Sequence, residues 1–211
     1  MSRFAVIRTV DGMTASLATP GSDYFVVDSP HEVARWRPLV HWLLFVPHGI
    51  ILYGLRSFAC VVALMYWLVF VFTGRLDRNL YGVLALYERY SARATAFLFG
   101  FSEQSPPFDF RAGGADNEAY TPVTLDLPEP AETAPRSRAF NVLLAVPHYV
   151  VLAVRAVAAV VVAVLAWFAV LFTGRWPVGM RRYLVRVNNY HYRVWLYATM
   201  VHGGYPAFGL R

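Results

Sequence analysis

The sequence predicts an all-α integral membrane protein of two tandem repeats. Each repeat is read as a transmembrane helical hairpin, or one long kinked helix, followed by an amphipathic interfacial helix, with a short extended lead-in before it. Three observations carry this reading. Hydrophobic residues make up 57% of the 211 positions and charged ones only 15%, against about 25% charged in an average soluble domain. The apolar residues gather in two runs, Leu39 to Thr73 and Phe140 to Thr173, each holding one arginine and no acid; apolar stretches beyond about 18 residues mark membrane insertion. Finally, sliding the chain by 100 residues aligns Leu43–Phe110 with Leu143–Leu210 without a gap, with twenty identities in 68 positions.

The identities that matter fall on rare residue types. Pro47-His48 meets Pro147-His148, Trp67 meets Trp167, and Phe72-Thr73-Gly74-Arg75 meets Phe172-Thr173-Gly174-Arg175. Farther on, Leu84, Tyr90, Arg93, Pro106 and Phe108 meet Leu184, Tyr190, Arg193, Pro206 and Phe208. Upstream of each copy, Tyr24 to Asp28 and Thr121 to Pro128 alternate like short strands. The domain boundaries that follow are a tail over 1–19, a first repeat over 20–110, a linker over 111–119 and a second repeat over 120–211. Glycines 113 and 114 and the proline-rich stretch Pro128 to Pro135 predict little regular structure around the linker.

A continuous 35-residue helix would measure roughly 52 Å against a hydrocarbon core of roughly 30 Å, too long for one upright span. Arg35 and Arg37 precede the first run, Arg75 and Arg78 follow it, and Arg56 lies between; the second copy repeats this with Arg136, Arg138, Arg175 and Arg155. If basic residues mark the cytoplasmic side, both ends of each run lie inside and the central arginine sits at an outer tip, which favours the hairpin. A hairpin that does not fully traverse the bilayer and one long kinked helix are the alternatives. The segments after each Thr-Gly-Arg, Arg78 to Phe101 and Gly179 to His202, set arginine on one face and Tyr, Trp and Phe on the other, the pattern of a headgroup-level helix.

All basic residues are arginine and the net charge is +6. Every acid lies at or before Glu132, leaving nine arginines and no carboxylate in the last 79 residues. Such a segment favours anionic lipid or an acidic partner. Nucleic acid is disfavoured, because the arginines flank apolar runs instead of clustering on a soluble face. The first 35 residues lack a basic start followed by an apolar h-region. The lysine-free composition is that of a GC-rich bacterial genome. The expected location is therefore the bacterial plasma membrane, with both termini cytoplasmic. Cys60, the single cysteine, lies within the first apolar run and reads as a small hydrophobe.

Each copy resembles the uncharacterised membrane family known as domain of unknown function 4389, abundant in actinobacteria. The resemblance rests on Pro-His in the apolar run, Trp67 or Trp167 before Phe-Thr-Gly-Arg, and the closing Ser105-Pro106-Pro107-Phe108 or Tyr205-Pro206-Ala207-Phe208. It implies no activity and no catalytic residue. The first copy departs at Leu76-Asp77, where the second has Trp176-Pro177.

Candidate residues fall into two groups. Arg75, Arg93, Arg175, Arg181, Arg182, Arg186 and Arg193 are candidates for headgroup or partner contact, since the guanidinium fork binds phosphate and also anchors helix ends. His48, His148, Arg56 and Arg155 are intramembrane polar residues, expensive to place in lipid. Each histidine follows a proline that frees a backbone carbonyl, so capping or packing is the ordinary role; a bis-His haem or metal site at the repeat interface is the sharper alternative. His41 lies seven residues before His48, on its face, with Asn141 at the equivalent place in the second copy. No phosphate loop, catalytic triad, His-Glu-x-x-His or paired carboxylate is present. Glu88 stands in the first amphipathic segment without a visible partner. The sequence calls for no cofactor and no enzyme. The expectation is a non-enzymatic membrane subunit or scaffold in contact with anionic lipid and with other membrane proteins or itself. A lipid or small-solute transporter or channel is the alternative.

Overall fold

The structure, a computed structural model, describes residues 23–110, 120 and 122–210; the expected tail over 1–19 and the linker over 111–119 lie outside the described residues. The first apolar run is one helix, and the second is helical with a break at Ala145. In the first, α1 spans Arg37–Thr73. In the second, a 3-10 turn over Arg136–Phe140 leads into α3, Asn141–Leu144, and α4, Val146–Thr173. Among the described residues, two helices are long and apolar enough to cross a membrane by length and composition. The hairpin reading is thus corrected. No turn interrupts either run near Arg56 or Arg155, because nothing between residues 48 and 73 or 148 and 173 breaks a helix except Gly49 and Gly54, and an isolated glycine costs only about 1 kcal/mol against alanine. Pro47 is absorbed inside α1, while its equivalent Pro147 stands at the start of α4, just past the break at Ala145. Proline lacks the N–H that would reach back one turn, and the first N–H groups of a helix have no internal partner.

Both long helices end where the sequence places Thr-Gly-Arg. Gly74 and Gly174 take φ of 73° and 71° and return their N–H groups to the carbonyls of Phe70 and Val170 at 2.7 Å. This is the left-handed cap that glycine adopts without steric cost. The chain then reverses into α2, Arg78–Phe99, and α5, Val178–Ala198. Asp77 caps α2, its Oδ1 accepting the Asn79 and Leu80 N–H groups at 2.9 Å each; Pro177 stands at the same point before α5. The short lead-ins are strands, β1 over Phe25–Val27 and β2 over Val123–Leu125, and they pair antiparallel with Val26 opposite Thr124.

The repeats are exchanged at their edges. The Val33 N–H donates to Gly174 O and the Trp176 N–H to His31 O; reciprocally, Leu76 N–H donates to Glu132 O and Ala134 N–H to Gly74 O. The start of each repeat therefore sits at the far end of the other repeat's long helix, and α1 and α4 run antiparallel. Trp67 Nε1 donates to Ala139 O at 3.0 Å and Trp167 Nε1 to Phe99 O at 3.3 Å, tying the same ends from the side chains.

Three layers result. The outer layer is α1 and α4, which bury only a stripe each: His41, His48, Ala59, Val62, Tyr66 and Phe70 in one, His148, Leu152, Ala159, Ala163, Ala166 and Val170 in the other. The rest of both helices exposes large apolar side chains along their length, from Leu39 to Phe72 and from Val146 to Phe172. The middle layer is α2 and α5. On α5, Tyr190, Val194 and Tyr197 pack on Ala145 and Leu152, while Arg181, Asn189 and Tyr192 reach β1 on the opposite face. The third layer is the two-stranded sheet with the lead-ins and linker ends. The amphipathic segments pack beneath the long helices: α2 has no exposed residue from Leu80 onward, while α5 keeps Arg182 and Arg186 exposed.

Candidate functional site

The same polar cassette is built once in each repeat. His48, 2% exposed, hydrogen-bonds through Nδ1 to the Tyr90 hydroxyl at 2.8 Å and through Nε2 to Ser105 Oγ at 3.0 Å, with Phe108 stacked on its ring at 5.0 Å. His148, fully buried, meets the Tyr190 hydroxyl through Nδ1 at 2.6 Å, with Phe208 stacked at 4.1 Å. Tyr205 replaces Ser105 in sequence, and His148 Nε2 is buried with no hydrogen-bond partner. Each imidazole is engaged by its own repeat, so the cassettes read as two locks, each joining a long helix, its return helix and the closing Pro-x-Phe. Among the described residues no group of three or more His, Cys, Asp or Glu lies together as a metal site would require. His41 is also buried, stacked on Phe97 at 4.6 Å with Arg37 Nη1 at 3.3 Å.

The two tyrosines give a direct test. Tyr90→Phe and Tyr190→Phe each newly unpair one imidazole nitrogen, Nδ1 of His48 or of His148. An unpaired buried polar group costs about 1–3 kcal/mol, and both variants are expected to unfold below the parent in detergent melts.

Between the repeats, the middle layer brings Glu88 of α2 to His191 of α5, Oε2 to Nε2 at 3.3 Å. Glu88 is 7% exposed, so the carboxylate that has no partner in its own copy takes one from the other. Burial opposes protonation of His191, and the hydrogen bond and charge of Glu88 outweigh it, raising its pKa above the ordinary histidine value. The pair's contribution is complete below that ordinary value and is lost as pH rises through the raised one. In the second copy Asn188 stands in place of Glu88 and in the first Ser91 in place of His191, so one such pair forms instead of two.

The family described as Domain of unknown function (DUF4389) matches residues 35–109 and 136–209. This chain belongs to DUF4389. No curated protein and no solved structure matches it. The two matched segments are the two copies found by the 100-residue shift, and each DUF4389 unit holds one long helix, one return helix and one His-Tyr-Phe cassette.

The arginines of the two DUF4389 units divide by environment. Arg182 and Arg186 are exposed on α5, and Arg75 and Arg175 are exposed beyond the left-handed glycines. Arg175 pairs with Glu32 at 3.0 Å, both side chains largely in the open, and contributes little stability there. Arg75 lines a polar groove of about 430 Å³ with Thr73, Asp77, Arg78 and Glu132. Arg93 and Arg181 are corrected: both are buried and face neither solvent nor lipid. Arg181 Nη2 donates to Ser29 Oγ at 2.8 Å, fastening the lead-in of one unit to the helix of the other. Arg193 Nη2 donates to Gly209 O at 2.9 Å and Arg155 Nη2 to Phe208 O at 2.6 Å, so both hold the chain end. Arg155 also lies 4.3 Å above the Tyr190 ring. Arg56 is exposed on α1.

Sequence reasoning passed over Tyr90 and Tyr190 as partners of the histidines. The signal was present: His48 and Tyr90 are both unchanged under the 100-residue shift. It passed over Asn189 and His191 because each acts across the repeats, where no spacing rule applies.

Proposed function

We propose that this DUF4389 protein is a non-enzymatic membrane-embedded scaffold subunit whose outer helices lie in lipid and whose exposed arginines meet anionic headgroups. One observation carries the reading, the inverted distribution of polarity. Tyr53, Phe72, Val154, Val157 and Phe172 are between 68% and 79% exposed while Glu88, Arg89, Arg93 and Arg181 are at most 7% exposed. In water such a continuous apolar surface would associate; in lipid it is the ordinary solvent-facing surface, and the buried ionic groups are the ones that must be enclosed. Arg75, Arg182 and Arg186 are exposed and can take phosphate by their guanidinium forks, as can Arg175 in exchange for its exposed Glu32 partner.

The reading predicts that the purified chain co-floats with liposomes, more completely when they contain anionic lipid, and resists extraction from membranes by alkaline carbonate. Purification in mild detergent is expected to retain a second protein in fixed ratio. Release by carbonate sinks the membrane reading, and a monomer without partners sinks the scaffold reading. A second reading, a lipid or small-solute carrier, is favoured by one feature: an apolar groove of about 450 Å³ lined by Tyr66, Trp67, Tyr149 and Trp195 at the repeat boundary.

A further inference from the structure

We infer that α1 and α4 lie in the plane of one leaflet, with the lead-in and linker layer facing water on that same side, so that the protein enters the membrane without crossing it. This rests on the membrane reading above and concerns how that surface is used.

The inference follows from where the acids sit relative to the two long helices. Because each helix starts at the other's end, they are antiparallel, and the local twofold axis that relates the units passes through their middles. In the middle layer the units meet at Glu88 and His191, and in the sheet at the antiparallel Val26–Thr124 pair. Opposite faces of α5 contact α4 and β1, so the sheet lies over the midpoints of the long helices, on the side away from their exposed apolar surface. Asp23, Asp28, Glu32, Glu103, Asp126, Glu129 and Glu132 are all exposed in this layer.

If α1 stood upright across a bilayer, the sheet would lie beside the bilayer's mid-depth. Asp28 and Asp126, which adjoin the strands and are exposed, would then face hydrocarbon at about 2.5–3.5 kcal/mol each on insertion scales. Laid flat, the same molecule has no such conflict. A helix is about 10–12 Å across and one leaflet's hydrocarbon about 15 Å deep, so a single layer of helices fits. Length ceases to matter: at 37 residues, α1 is about 55 Å long and would have to tilt steeply to match a core of about 30 Å.

The arginine spacing fits the same orientation. Residues at the start, middle and end of each long helix, Arg37, Arg56 and Arg75, and Arg138, Arg155 and Arg175, all stand at one depth when the helices are horizontal. Arg155 turns toward the middle layer, where it reaches Tyr190, and also meets the Phe208 carbonyl. An upright helix would instead hold Arg56 and Arg155 at the centre of the hydrocarbon.

The test uses the full chain with Cys60→Ser and single cysteines introduced at the exposed positions Trp36, Arg78 and Glu129, labelled with a membrane-impermeant maleimide in intact cells and in inverted vesicles. All three sites are expected to react from one side only. Reaction of Trp36→Cys and Arg78→Cys from opposite sides means that α1 crosses the membrane and overturns the inference while leaving the membrane reading intact. Release of the unmodified protein by carbonate removes the membrane reading itself. Polarised infrared spectra of the unsubstituted protein in oriented bilayers check the result without mutation: long-helix axes near the bilayer plane support the inference, and axes near the normal overturn it.

Discussion

Replacing Phe70 by alanine is expected to cost about 3–5 kcal/mol, the usual range for deleting a buried aromatic ring. Phe70 is fully buried in the cluster that joins the units, with Val62, Tyr66, Ala163, Ala166 and Val170 among its members. Its backbone carbonyl receives the Gly74 N–H that closes α1, so a cavity here loosens the end of the helix. At roughly 2–4 °C per kcal/mol for a chain of this size, the unfolding midpoint should fall by roughly 6–20 °C. Phe72→Ala, two residues on, is the control. Phe72 is 76% exposed, and in detergent its replacement should change stability by no more than about 0.5 kcal/mol. A melt in which the two variants shift equally would show that Phe70 is not enclosed.

Asn189→Leu is expected to detach the first lead-in. The Asn189 side chain accepts the Phe25 N–H and donates to the Phe25 carbonyl, both at 2.9 Å and both buried. It serves as a substitute strand, pairing both polar groups of one residue. Leucine fills a similar volume but leaves both groups unsatisfied, at about 1–3 kcal/mol each. Phe25 should then leave its place against Tyr192, taking the β1–β2 pairing with it. Limited proteolysis is expected to cut near residues 23–30 in the variant and not in the parent. Asn188→Leu is the comparison: Asn188 Nδ2 bonds only Leu184 O, one turn back on its own helix, and the lead-in should stay protected.

Some of this architecture was legible from the residues alone, for definite physical reasons. Hydrophobic runs without acids mark two long apolar elements, because burial in water or lipid acts on each residue regardless of its neighbours. Thr-Gly-Arg marks their ends, because only glycine takes the left-handed cap cheaply. The short alternating lead-ins appear as strands, and the repeat appears because rare residues coincide at one offset. The charge-based argument for a hairpin failed. Arginines at both ends of a run favour a turn between them only while each run is taken alone, whereas the structure has no turn at Arg56 or Arg155 and brings the two copies together head to tail.

The placement of the middle helices was likewise not legible. Arginine on one face and aromatics on the other describe a helix at a headgroup surface and equally a helix enclosed between two different layers; periodicity fixes which residues share a face, not what covers it. Arg181 and Arg93 look like surface cations until the layers enclose them. Glu88 has no partner within its own copy, and His191 becomes its partner through the apposition of α2 and α5. The sequence by itself determined the duplicated unit, its long apolar helix, its glycine caps and its basic ends, all of which rest on local energetics. Only the tertiary structure decided that the units are antiparallel, that their lead-ins are exchanged and that the polar helices lie inside. Those features depend on contacts between residues of different copies, distant in the chain, whose free energy exists only once both copies have folded against each other.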